Sequence, residues 1–466
     1  MRYISTRGRA PTLDFAGVTL AGLASDGGLY VPEIWPTLTR EEIAGLRGLP
    51  YPELAARIMQ PFIGDCLAPE RLLELSHQAY ARFAHAAVTP LVQLDERHWL
   101  LELFHGPTLA FKDVALQLLG LLFDEFLARG DKRLTVVGAT SGDTGSAAID
   151  ALAGRERVEI VMLHPAGRVS DVQRVQMTTV LAPNVRNIAI EGASFDDCQA
   201  IVKRLFTDEA VTSRIAIGAV NSINWARLMA QVVYYFAAAL QLGAPERKIA
   251  FSVPTGNFGD VFAGYVAAKM GLPVERLVVA TNVNDILFRA LTTGDYSAGS
   301  VEATAAPSMD IQVSSNFERL LFDLGGRNGA ALAAQMAEFD THRAIRLSPE
   351  QMAAAGGLFA SCRVGAAEMA GAMRWAWEHC GGEGIDPHTA IGLHAARAFD
   401  WAEGVPVVTL ATAHPAKFRD AVERATGYRP SLPARVGDLF GREERYTRLS
   451  GDYEAVRADI LDHAAR

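Results

Sequence analysis

A chain of 466 residues is longer than one ordinary hydrophobic core, so two or three domains are expected. Half of the residues are hydrophobic and 21% are charged, which excludes a disordered chain. The net charge of −9 is spread along the sequence and excludes a broad nucleic-acid-binding face, which needs clustered Lys and Arg to displace counterions.

The opening residues, MRYISTRGRAPTLDF, lack the apolar core of a secretory signal. The first ninety or so residues are punctuated by Pro and Gly, with helical patterns at 41–46, 51–62 and 69–83. They read as a separate, mostly helical N-terminal unit, residues 1–90, ahead of a larger region, 91–466. Beyond residue 88 short apolar strands alternate with longer helices. The segment 134–139 (LTVVGA) reads as a buried strand, 146–153 as a helix and 158–163 (VEIVML) as the next strand, a βαβ unit. A helix at 195–206, a short strand at 214–220 and a long apolar helix at 226–241 follow. A second βαβ unit runs through the strand 249–253, the helix 260–270 and the strand 277–280. Near the end, 405–410 (VPVVTL) is another buried strand, followed by a helix over 416–426. Repetition of β-α-β predicts an α/β fold with parallel sheets covered by helices on both faces. The most apolar helices, near 114–126 and 228–242, are interrupted by polar residues or Gly, so no membrane span is expected. Cys66, Cys198, Cys362 and Cys380 form no CxxC pair and read as reduced thiols of a cytoplasmic protein.

Ligands of such folds bind outside the carboxyl ends of strands, so the loops after strands are the places to search. Two carry glycines followed by donors at a helix start: Thr140-Ser141-Gly142-Asp143-Thr144-Gly145 and Thr255-Gly256-Asn257-Phe258-Gly259-Asp260. Each can hold an anion at a helix N-terminus, and each also suits a plain capped turn. Neither fits GxxxxGK[ST] or GxGxxG, which argues against nucleoside triphosphates and dinucleotides. Lys112 opens the apolar stretch after the turn-rich loop Glu102–Thr108. A cation is disfavoured at the N-terminus of a buried helix, and a lowered pKa is what an amine needs to attack an aldehyde and shuttle protons. The alternative is a surface lysine with its stem on apolar neighbours. His105 and His414 have no metal-ligand partners at useful spacing and HExxH is absent, so no metal is expected.

Together, ELFHGPTLAFKDVALQ (102–117), ATSGDTGSA (139–147), VNSIN (220–224), VPTGNFGD (253–260) and TAHPAKF (412–418) closely resemble the threonine synthase family, as do DGGLYVP (26–32) and TNVND (281–285). The resemblance runs from about residue 20 to about residue 430, in the order and spacing of the longer microbial and fungal branch. It implies a fold type II, tryptophan synthase β-like enzyme of pyridoxal 5'-phosphate (PLP), with the cofactor in a cleft between two α/β subdomains. By the same resemblance Lys112 matches the PLP lysine, and Gly256, Asn257, Phe258, Gly259 and Asp260 match the cradle of the cofactor phosphate. Thr412 matches the hydroxyl that meets the pyridine nitrogen. Ser141, Gly142, Asp143, Thr144 and Gly145 match the loop that receives the substrate carboxylate. The implied reaction converts O-phospho-L-homoserine and water into L-threonine and phosphate, by a monomer or homodimer in the cytoplasm. His105, Thr108, Ser222, Asn224, Arg227 and Lys417 are candidates for the substrate phosphate. Two alternatives share these motifs: a threonine synthase-like phospholyase that releases 2-oxobutyrate, and a non-catalytic PLP-binding paralogue that regulates a partner.

Overall fold

Continuous apolar segments form the central strands of two largely parallel sheets in the computed structural model, which describes residues 1–379 and 384–464. The five-stranded sheet has the spatial order Thr447–Ser450, Val185–Glu191, Val158–Pro165, Leu134–Ala139, Ile217–Gly218, all parallel. The six-stranded sheet runs Phe359–Arg363, Val274–Thr281, Ile249–Pro254, Val407–Ala411, His98–Glu102, Leu91–Gln93, and only the last pairing is antiparallel. Both predicted βαβ units are present, one in each sheet. The predicted strand near 405–410 lies in the middle of the larger sheet, between strands that precede it by more than 150 residues.

Helix boundaries moved where caps decide them. The helix expected from Ser146 is Asp143–Leu152, because Gly142 takes φ 137 and turns the chain into the helix three residues earlier. Pro415 forces a 3₁₀ turn over Pro415–Phe418 ahead of the helix Arg419–Thr426, in place of one helix over 416–426.

Residues 1–90 contain the helices Phe15–Ala21, Arg40–Ala44, Tyr51–Ile63 and Pro69–Tyr80, and a two-stranded antiparallel sheet of Tyr3–Ser5 with Tyr30–Pro32. Their apolar side chains join one continuous core with the helices Lys112–Ala128 and Trp225–Gln241. Trp225, fully buried, has the rings of Tyr3, Trp35 and Phe62 at 5.9, 6.0 and 5.8 Å, so the N-terminal segment is cemented to that helix by aromatic packing. Tyr3 also donates its hydroxyl to Phe62 O at 2.7 Å. Cys66, Cys198 and Cys362 are free thiols, whereas Cys380 lies outside the described residues. Among the described residues no helix is long and apolar enough to cross a membrane.

Candidate active site

The carboxyl edges of the two sheets supply the loops that matter. From the larger sheet come the loop after Glu102, which ends at Lys112, the loop Thr255–Phe258 and the turn after Ala411. From the smaller sheet comes Thr140–Gly142. Phe111 N–H donates to Thr412 O at 2.8 Å, and Ala110 pairs with Ala413, which fixes Thr412 one residue from Lys112 in space. Thr412 N–H in turn donates to Thr389 Oγ1 at 3.2 Å.

Lys112 is the first residue of the helix Lys112–Ala128, as the sequence predicts, and is 8% exposed. Its Nζ lies 3.3 Å from Asp143 Oδ2. Burial pushes the amine below the ordinary lysine range; Asp143 opposes this, while Lys417 and Arg227 push the same way. The helix N-terminus argued from sequence is thus joined by two specific cations. Asp143 itself is held well below the usual carboxylate range: burial would raise it, but Lys112 and Lys417 overcome that penalty.

The second glycine loop leads into the helix Gly259–Lys269. Phe258, in the left-handed region at φ 63, is its N-cap and makes no side-chain capping bond, so the first-turn N–H groups face the loop. A Cβ at Gly256 would come within 2.8 Å of Ser308 O, and one at Gly259 within 3.2 Å of Asn316 Nδ2. Only glycine leaves this concavity open. Asn257 is exposed at its rim, and Asn257 O accepts from both amides of Asn316, backbone and side chain, at 3.1 Å. Asp260 turns its carboxylate away from the loop. Tyr234 and Tyr235 donate to its Oδ1, burial pushes the carboxyl up to about 6, and the loop keeps the Asp260 backbone N–H but not the side-chain charge.

The candidates for the substrate phosphate divide sharply. Asn224 is fully buried; its Oδ1 caps Ala226 N–H at 3.0 Å and its Nδ2 donates to Thr19 O at 2.9 Å, so both ends are committed to the fold. Thr108 gives its hydroxyl and backbone N–H to Asp113 at 2.7 and 2.8 Å, and its carbonyl accepts from Lys417. His105 Nε2 sits 2.7 Å from Glu102 Oε2. Lys417 Nζ is shared between Asp143 Oδ1 at 2.9 Å and Thr108 O at 2.8 Å. Arg227 differs. It is 3% exposed, its Nη1 donates to Val220 O at 2.8 Å, and its buried Nε has no hydrogen-bond partner. Burial pushes this guanidinium down to about 10. Ser222 stands nearby, half-buried and accepting from Asn316 Nδ2 at 3.3 Å. Ser141 and Thr144 are half-buried at the mouth of the first loop, while Gly142 and Gly145 are buried beneath it.

Several residues of the site escape a sequence reading. Gln173 Nε2 donates to Asp143 Oδ1 at 2.8 Å, and Ser308 Oγ to Asp143 Oδ2 at 3.4 Å. His388 holds Asp386 Oδ2 at 2.7 Å through Nδ1 and accepts Ser308 N–H at 3.3 Å through Nε2. Asp386 also accepts from Thr389 Oγ1, which links this dyad to Thr412. The run Asp386-Pro387-His388-Thr389 carries an N-cap signal with Pro at the first helical position, which is the only local cue to it. Asn282 and Asn284, from the TNVND segment, reach Asp310 Oδ1 at 2.7 and 3.2 Å and so anchor the loop that brings Ser308 over Gly256.

Two sheets with a desolvated lysine between them, and a glycine cradle at a helix N-terminus, define a PLP-dependent enzyme of fold type II. The model of the family described as "Pyridoxal-phosphate dependent enzyme" matches residues 83–412. On either side, "Threonine synthase N terminus" matches residues 2–80 and "Threonine synthase, C-terminal" matches 389–460. The chain is 54% identical to a threonine synthase of Pseudomonas aeruginosa, over 100% of this chain and 99% of that one. The structure of a PLP-bound threonine synthase from Brucella melitensis is 49% identical and superposes with a TM-score of 0.97, covering 100% of both chains. A yeast threonine synthase structure is 39% identical with a TM-score of 0.94, covering 100% of this chain and 99% of that one. The chain belongs to the threonine synthase family.

Proposed function

We propose that this protein converts O-phospho-L-homoserine and water into L-threonine and phosphate, with PLP on Lys112. The observation that carries the reading is a buried cluster of cations at these loops: Lys112 and Lys417 face the two oxygens of Asp143, and Arg227, which also acts on Lys112, is buried with its Nε unpartnered. Such cations are costly to bury unless anions enter. A cofactor phosphate and a substrate with a phosphate and a carboxylate supply them.

The residues present fit the cofactor. Gly256–Gly259 and the first-turn N–H groups would hold its phosphate, Lys112 its aldehyde carbon, and Thr412 its ring nitrogen. A neutral hydroxyl at that nitrogen leaves it largely unprotonated, which favours elimination over transamination. When bound, PLP supplies an electron sink for charge developing at the substrate's α-carbon. The protein's own groups do the rest. Ser141 and Thr144, with the N–H groups that open the helix Asp143–Leu152, receive the substrate carboxylate. Arg227 and Ser222 take the substrate phosphate. Lys112 removes the proton at Cα. With loss of a second proton at Cβ and of phosphate from Cγ, followed by protonation at Cγ, water adds at Cβ, and Lys112 returns a proton to Cα. Free thiols at Cys66, Cys198 and Cys362 support a reducing, cytoplasmic setting.

The products test this reading against phospholyase chemistry, which shares the elimination half. With O-phospho-L-homoserine as sole substrate, threonine and inorganic phosphate should appear in equal amounts. Release of 2-oxobutyrate and phosphate without threonine would sink the synthase assignment.

A further inference from the structure

Asp143 stands in the loop assigned to the substrate carboxylate, where a second carboxylate would repel it. Its side chain is instead drawn inward, and its two oxygens are divided between two lysines. Oδ2 faces Lys112 Nζ at 3.3 Å and Oδ1 faces Lys417 Nζ at 2.9 Å, with Gln173 donating to Oδ1 at 2.8 Å. All three ionic side chains are buried, that of Lys417 completely. Thr108 O fixes the far side of the Lys417 ammonium at 2.8 Å. A buried row of three charges of alternating sign is expensive to assemble unless each member has fixed partners, which these have.

We propose that Lys112, Asp143 and Lys417 work as one ion chain, in which Asp143 is the counter-ion of the Lys112 ammonium and Lys417 is the positioning residue that holds Asp143 in place. The proposal rests on Lys112 being the PLP lysine. In the proton bookkeeping, the Lys112 amine takes a proton from the substrate and becomes an ammonium; its charge is met by Asp143 Oδ2, and the same proton is later given back. Asp143 stays ionised throughout, and Lys417 exchanges no proton. Lys417 has a second effect: by occupying Oδ1 it prevents Asp143 from pairing wholly with Lys112, which would fix Lys112 as an ammonium and stop it acting as a base. The other charged or titratable groups acting on the chain are Arg227 and Asp260 toward Lys112, His388 toward Asp143, and Asp113 and His414 toward Lys417. None of these five is changed in the test.

The test uses protein stripped of cofactor. PLP is added over a series of pH values, and the absorbance of lysine-bound cofactor is followed. The rate needs the unprotonated amine, so its pH midpoint reports Lys112. With Lys417→Met, Asp143 serves Lys112 alone, and the midpoint should rise by about one pH unit. With Asp143→Asn the counter-ion is lost, and the midpoint should fall by about one unit. A role in packing alone would not move the two midpoints in opposite directions. Midpoints that stay at the wild-type value in both variants, or that move the same way, overturn the ion chain. If Lys417→Met does not fold, Asp143→Asn decides alone: a fall supports the chain, and no change or a rise refutes it. A band that persists in Lys112→Ala would instead refute the anchor assignment, whatever the other two variants do.

Discussion

Lys112→Ala should give a folded protein that shows no absorption band of lysine-bound PLP and has lost at least about 10⁴-fold in threonine formation, since anchor and proton-transfer base disappear together. The other buried amine of the site cannot replace it. Lys417 Nζ is held by Asp143 Oδ1 at 2.9 Å and Thr108 O at 2.8 Å, and freeing it would break a buried ion pair and a buried hydrogen bond. The fold should tolerate the change. Lys112 is the first residue of its helix, Ala is a good helix former, and Asp143 keeps Lys417 and Gln173 as partners. Thermal unfolding near the wild-type temperature, with the band absent, is the expected pair of observations. A variant that still binds PLP as an imine would show that another lysine is the anchor.

Arg227→Met should lower kcat/KM for O-phospho-L-homoserine by roughly 10²–10³-fold, about 3–4 kcal/mol, as expected for losing one member of a buried charge pair. Its effect on stability should have the opposite sign or be absent. Arg227 is buried with one carbonyl partner and an unpaired Nε, and an uncompensated buried cation destabilises the fold that carries it. A similar-length apolar side chain removes that penalty at the cost of one bond to Val220 O. Equal or higher Tm together with a large loss of kcat/KM marks a group kept for its ligand. A large fall in Tm with unchanged kcat/KM would show that Arg227 serves the fold instead.

The strands were legible where apolar, β-branched runs are continuous, as in Leu134–Ala139 and Val158–Pro165, because a buried parallel strand needs no alternation. Thr447–Ser450 has no such run; it is an edge strand with half its residues exposed, and only its partner Val185–Glu191 defines it. The glycine loops and Lys112 were legible because special backbone geometry and an ill-placed charge leave marks in the sequence. Roles inside the site were less so. Asn224 and Ser222 stand two residues apart in one motif, yet the first is a buried helix cap and the second lies beside Gly259 of the second glycine loop. Spacing cannot distinguish them, because the choice is made by Thr19, more than 200 residues earlier. Asp143 looked like one polar group in a polar turn, and its pairing with Lys417 appears only when the two sheets meet. Gln173, Ser308 and His388 contribute by the same kind of long-range contact, from positions whose local patterns describe ordinary helices and turns.

The account stands most directly on which lysine carries the cofactor. The protein with PLP bound would be reduced with borohydride, digested, and its peptides mapped by mass. The phosphopyridoxyl group should be found on Lys112 alone. Its recovery on Lys417, the other buried amine paired with Asp143, or on any lysine elsewhere, would contradict the account.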